Sequence, residues 1–216
     1  MLKTTDRAVL RPPNGLEPLA LAPHADAGLT VTHIVRKAVQ ILGPVTRVVV
    51  VGIGGLGHIA VQCLRALGPA EVIAVDPDPE ALKLAIDCGA HHAITADMAG
   101  IEVAWITGGS GAEAVIDFVG EGDVPTASLA MVRAAGTYFV VGYGGELRVP
   151  TFNLVLPEIS IVGNAVGSHD DLRELIALTA AGVVSLRTRT YGLDAIADAI
   201  ADLENGRMHG RGVVVP

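Results

Sequence analysis

Val48-Val-Val-Val51-Gly52-Ile-Gly54-Gly55-Leu-Gly57, followed by Val72-Ile-Ala-Val-Asp76, decides how the rest of the chain is read. Four consecutive β-branched residues suit a parallel strand buried on both faces. Gly52 permits the tight turn that leaves such a strand, Gly54 and Gly55 let a backbone approach a pyrophosphate closely, and Gly57 lets the next helix lie against the strand. The helix predicted over 55–67 aims its free N–H groups and positive dipole end at those phosphates. A glycine pattern alone occurs in many unrelated loops. Here a strand precedes it, a helix follows it, and a second strand ends in a carboxylate, so the reading is a dinucleotide-binding βαβ unit.

Asp76 carries the choice of cofactor. A carboxylate at the end of the second strand accepts hydrogen bonds from the adenosine ribose hydroxyls and repels a 2′-phosphate, which favours NAD over NADP. The next residues, Pro77-Asp78-Pro79-Glu80, add negative charge and no arginine to receive a phosphate.

Outward from this unit the pattern alternates. Strands are predicted at 48–51, 71–75, 92–95, 114–118, 137–141 and 158–162, with helices at 55–67, 79–88, 98–106, 123–133 and 168–181. Six strands with interleaved helices make a doubly wound α/β domain with a parallel sheet. Before it, Arg7–Leu10 reads as a short strand closed by Pro12-Pro13-Asn14-Gly15. Val31, Ile34, Val35, Ala38, Val39 and Leu42 then recur at helical spacing up to Gly43-Pro44. After it, Thr188–Tyr191 and Gly212–Val215 read as strands, with Leu193, Ile196, Ala199, Ile200 and Leu203 on one face of a helix between them. These outer pieces do not belong to the six-strand sheet and read as the edges of a second domain.

Composition agrees. The 216 residues are half apolar with only 3% aromatic side chains, as in sheets covered on both faces by small-residue helices. A net charge of −8 offers no basic stripe, which argues against nucleic acid and anionic membranes as partners. Residues 48–64 carry no charged side chain, but four glycines, His58 and Gln62 make them a turn and a helix rather than a membrane span. The first ten residues include Asp6 and show no apolar run of a secretory signal, so a cytoplasmic location is expected. Cys63 and Cys88 show no CxxC pairing and read as reduced structural thiols.

With these motifs placed, the chain resembles the zinc-dependent medium-chain alcohol dehydrogenases, most closely the bacterial NAD-dependent type. The resemblance runs from residue 4 to residue 216. It is carried by Asp26-Ala-Gly-Leu-Thr30, Val51-Gly-Ile-Gly-Gly-Leu-Gly57-His, Val72-Ile-Ala-Val-Asp76, Ile116-Asp-Phe-Val-Gly120, Val140-Val-Gly142 and the ending Gly210-Arg-Gly-Val-Val-Val-Pro216. It implies a Rossmann domain over 44–185. Residues 1–43 would be a remnant of a GroES-like β domain with a linking helix, and 186–216 the segment that returns to that domain. It further implies that Thr30 approaches the nicotinamide, Gly55 and Leu56 bind the pyrophosphate through backbone N–H groups, and Asp76 holds the ribose. Phe118, Val119, Val141 and Gly142 would line the adenosine and nicotinamide sites, and Arg211 would reach back to the pyrophosphate.

For Asp26 the resemblance implies the third ligand of a catalytic zinc, a role an Asp oxygen can fill. The bland alternative is a helix cap beside Gly28-Leu29-Thr30. The remaining zinc ligands of that family, a Cys and a His, belong to the N-terminal catalytic domain that this sequence does not contain. The histidines present, among them His24 and His33, are not expected to replace them. The implied activity is reversible hydride transfer between an alcohol and NAD in the complete enzyme, with no complete catalytic set on this chain. A free-standing NAD-binding module and a zinc-free quinone-type reductase are the alternatives. Self-association through the last sheet strand, with the apolar stretch Leu147–Val166, gives an expected homodimer or larger assembly.

Overall fold

The computed structural model describes residues 9–216. In chain order its elements are α1 (Pro18–Leu21), α2 (Ala27–Ala38), β1 (Arg47–Val51), α3 (Gly57–Leu67), β2 (Glu71–Asp76), α4 (Pro79–Asp87), β3 (His92–Thr95), α5 (Ala99–Ile106), β4 (Ala112–Asp117), α6 (Val124–Ala130), β5 (Val132–Val140), α7 (Phe152–Val155), β6 (Ser160–Gly163), α8 (His169–Ala180), β7 (Thr188–Gly192), α9 (Ile196–Glu204) and β8 (Arg211–Val215). Strands β1 to β6 form one parallel sheet in the order β3-β2-β1-β4-β5-β6. The strand order reverses between β1 and β4, so their carboxyl ends open a crevice, the place where such sheets bind ligands.

Alternation along the central strand builds two cores. Val48 and Val50 face one layer with Val31, Ile34 and Val35 of α2, Ile59 and Leu64 of α3 and Leu175 of α8. Val49 and Val51 face the other with Val103 of α5 and Leu129 of α6. Burying each of these valines contributes about 1.5–3 kcal/mol, which explains why a run without polar alternation is stable here. The helix α2 shares a core with α3 and α8, so it packs as one layer of this domain.

Several boundaries differ from those expected. The first helix of the glycine unit starts at Gly57, not at residue 55. The helix expected over 123–133 ends at Ala130, and β5 begins at Val132 because Val132 pairs with Ala112 and the Met131 carbonyl accepts from the Ala112 N–H. Sheet pairing wins there over a helix-compatible local sequence, at the cost of a register shift between Ala112 and Ala114 and a positive φ at Ala135. The strand expected at 158–162 starts at Ser160, since Glu158 has φ 55. The regular part of α2 ends at Ala38 and continues as a 3₁₀ turn over Val39–Ile41. Of the strand expected at Arg7–Leu10, Arg7 and Ala8 lie outside the described residues, and Val9 and Leu10 are in no strand. The tail forms its own parallel pair, β7 with β8, separate from the large sheet as expected.

Candidate functional site

The turn after β1 is locked from two sides. Gly52 has φ +85, its N–H donates to the Val75 carbonyl at 2.9 Å, and a Cβ there would lie 2.6 Å from the Val119 side chain. A Cβ at Gly57 would collide with the Gly52 carbonyl, so the start of α3 lies directly on the turn. Asp76 at the end of β2 ties this turn to the next one: one carboxylate oxygen accepts from the Ile53 N–H at 2.6 Å and the other from the Asp78 N–H at 2.9 Å. Asp78 in turn caps α4 through the Glu80 N–H. Above Gly54 nothing lies within 4 Å of a Cβ position, which leaves that backbone open to a ligand.

Two cavities flank this turn. One of about 410 Å³ is lined by Gly52, Gly54, Gly55, Leu56, Gly57, Asp76, Phe118 and Val119. The other, about 470 Å³, is lined by Asp26, Thr30, Leu56, Phe118, Val119, Val141 and Gly142. Leu56, Phe118 and Val119 belong to both, so the two are lobes of one cleft running across the ends of β1 and β4. Twelve of the thirteen residues singled out in the sequence therefore line one continuous crevice. The thirteenth, Arg211, lines neither lobe and reaches the glycine turn from the tail, with its Cδ 2.8 Å from the Cβ position of Gly55.

Asp117 was not singled out, yet it shapes the far wall. Fully buried at the end of β4, it accepts from the Val119 N–H at 2.8 Å, the Gly120 N–H at 2.9 Å and the Tyr138 hydroxyl at 2.7 Å. Its carbonyl accepts from the N–H groups of Val141 and Gly142. One residue thus fixes both loops of the wall. The signal available in the sequence was an acidic residue ending an apolar strand, which needs buried donors if it turns inward. Burial and the Asp117 carboxylate push the Tyr138 hydroxyl well above the usual phenol range. Tyr138→Phe leaves a buried carboxylate oxygen short of a donor and is expected to cost about 1–3 kcal/mol of stability, read as a lower denaturant midpoint.

Asp26 stands at the N-terminus of α2 but does not cap it with its side chain. Its carbonyl accepts from the Thr30 N–H and, at 2.8 Å, from the Thr30 hydroxyl, and its exposed carboxylate pairs with Arg211 at 3.0 Å. The histidines nearby are engaged elsewhere. His24 is fully buried and donates through Nε2 to the Thr179 hydroxyl at 2.8 Å, since that hydroxyl itself donates to the Leu175 carbonyl. Burial pushes its pKa down to about 4. His33 is held by Asp171 at 3.0 Å across the α2–α8 contact. Among the described residues no group of three or more His, Cys, Asp or Glu side chains is close enough to hold a metal ion. A zinc ion needs about three such donors with one position open, so the donor set here does not fit one. Cys63 and Cys88 are free thiols, and burial pushes Cys63 up to about 12. Among the described residues no helix is long and apolar enough to cross a membrane.

The profile of a family described as zinc-binding dehydrogenase matches residues 55–181. The NAD-dependent alcohol dehydrogenase of Sulfurisphaera tokodaii is 35% identical over 206 residues, which cover 93% of this chain and 59% of that protein. The D-arabinose 1-dehydrogenase (NADP(+)) of Saccharolobus solfataricus is 28% identical over 94% of this chain and 59% of its own length. Among solved structures, the alcohol dehydrogenase from the hyperthermophilic archaeon Aeropyrum pernix superposes with a TM-score of 0.96 at 39% identity, covering 100% of this chain and 64% of that one. The chain thus spans about three fifths of the length of these relatives.

Proposed function

The chain belongs to the zinc-binding dehydrogenase family, and from that premise we propose that its cleft binds NAD(H), as the cofactor-holding part of an alcohol dehydrogenase. The observation that carries this reading is the pairing of Asp76 with the open backbone at Gly54. The carboxylate is held by two backbone N–H groups with lone pairs left for a ribose, and the uncrowded glycine lies in the turn that leads into α3. A dinucleotide fits this arrangement with its adenosine in the lobe of Asp76, its pyrophosphate over Gly54, Gly55 and Leu56 beside Arg211, and its nicotinamide in the lobe of Thr30, Val141 and Gly142.

When bound, NAD supplies the hydride acceptor. The chain's own residues bind and orient it: the first turn of α3 and Arg211 offset the phosphate charge, Asp76 selects the ribose, and Phe118 and Val119 keep water from its apolar faces. Oxidation of an alcohol is proposed for the complete family enzyme. Asp26 is the one residue here proposed as a zinc ligand, and no step is assigned to the metal because the remaining donors are not beside it. The reading is tested by calorimetric titration of the 216-residue protein with NADH. One saturable site is expected, and heats indistinguishable from dilution would contradict it.

Self-association is part of this proposal. The strand β6 ends the sheet with a single neighbour, and in the short helix α7 and its C-cap, just before β6 in the chain, Phe152, Val155 and Leu156 are about two thirds exposed. An open sheet edge and an exposed apolar helix face each call for a partner. A second copy is expected there, giving at least twice the chain mass in light scattering at micromolar concentration, and Phe152→Asp with Val155→Asp is expected to return it to the mass of one chain.

A further inference from the structure

We propose that His58 is a positioning residue that sets Arg211 over the glycine turn, so that the phosphates of a dinucleotide meet a guanidinium already in place. This rests on the reading that NAD(H) occupies the cleft. His58 lies in the first turn of α3 and is fully buried. Its Nδ1 is 2.7 Å from the Gly54 carbonyl, which can only accept, so Nδ1 carries the proton. Its Nε2 is 3.3 Å from the Arg187 N–H, which can only donate, so Nε2 offers its lone pair. Both nitrogens are therefore used in a neutral ring. Burial and the nearby charges of Arg211 and Arg187 oppose the cationic form.

The chain of bonds continues. The Arg187 carbonyl accepts from the Arg211 N–H at 2.9 Å, and a Cβ at Gly210 would collide with that same carbonyl. The glycine turn, His58, Arg187 and the Arg211 backbone are thus one connected path that joins segments 129 residues apart and fixes where the Arg211 side chain, paired with Asp26 at 3.0 Å, leaves the chain. At its end the Arg211 Nη1 sits 3.1 Å from the Cβ position of Gly55. Neither Asn nor Gln can replace both bonds. An Asn amide reaches the Nδ1 position and keeps the Gly54 bond, whereas a Gln amide reaches the Nε2 position and accepts from Arg187.

The test is NADH affinity by calorimetry for the unsubstituted protein, His58→Asn, His58→Gln, Arg211→Ala and the double variant His58→Asn with Arg211→Ala. Loss of a charged phosphate contact in Arg211→Ala should weaken binding about thirtyfold. His58→Asn should weaken it about fivefold, the scale of one neutral hydrogen bond. His58→Gln should stay within about twofold of the unsubstituted protein, and His58→Asn should change little once Arg211 is absent. Should His58→Asn not fold, as judged by thermal unfolding, His58→Leu takes its place with the same expectations. An equal loss with and without Arg211, no loss in His58→Asn, or a loss in His58→Gln as large as in His58→Asn would overturn the inference while NADH binding stands. No binding by the unsubstituted protein would overturn the cofactor reading and this inference with it.

Discussion

NADPH is expected to bind roughly ten- to a hundredfold more weakly than NADH, the effect of about 1–3 kcal/mol of repulsion between a 2′-phosphate and the carboxylate of Asp76. The carboxylate cannot turn away easily, because the N–H groups of Ile53 and Asp78 hold its two oxygens. Asp78 and Glu80 add further negative charge, and the side chain in contact with Asp78 is the imidazole of His209, whose Nδ1 lies 3.1 Å away. The relatives include proteins named for NAD and for NADP(+), so family membership does not decide the preference and the local charge does. Asp76→Ser keeps a short acceptor toward the glycine turn and removes the charge, so it should narrow the gap mainly by improving NADPH. Asp76→Ala should in addition weaken NADH, because Ile53 and Asp78 lose their acceptor. Fluorescence titration with both cofactors reads each outcome, and equal affinities in the unsubstituted protein would remove the role given to Asp76.

A polypeptide of these 216 residues is expected to keep no stoichiometric zinc after dialysis and to form no NADH from simple primary or secondary alcohols. Stabilising a developing alkoxide requires a metal fixed by about three protein ligands with one position open. Asp26 offers one carboxylate, and that carboxylate is paired with Arg211. His24 would have to leave a fully buried site and its bond to Thr179, and His33 would have to leave Asp171. Cofactor placement alone leaves the alkoxide oxygen without that charge stabilisation. Metal analysis paired with a turnover assay decides the matter. Bound zinc with turnover that disappears in Asp26→Ala would mean that the donors rearrange around the metal.

What could be read from the sequence followed from how local its cause is. The run Val48–Val51, the turn at Gly52 and the end of β2 at Asp76 are dictated by neighbours along the chain, and they stand where expected. The parallel six-strand sheet followed from the same alternation of strands and helices, whereas its strand order is set by pairings distant in the chain. The pairing of Asp26 with Arg211 was not legible, since its partner lies 185 residues away and either residue alone has several plausible uses. For the same reason the sequence does not show the role of His58, whose partner Arg187 lies 129 residues away. Asp117 stands within the motif Ile116–Gly120, but its inward turn onto Val119, Gly120 and Tyr138 depends on the fold of β5. The early start of β5 was missed because Met131-Val132-Arg133 carries no turn residue, and only the register with β4 ends α6 there.

The central claim is that a dinucleotide lies across the ends of β1 and β4, and amide NMR of the labelled protein during NADH addition tests it most directly. Saturable shifts are predicted for the N–H groups of Ile53 to Gly57, Asp76 to Asp78, Phe118 to Gly120 and Val141 to Tyr143, with those of Gly54, Gly55 and Leu56 largest. Shifts centred instead on the back of α3, around Arg65, Cys88 and Ser185, or the absence of any saturable shift, would contradict the account.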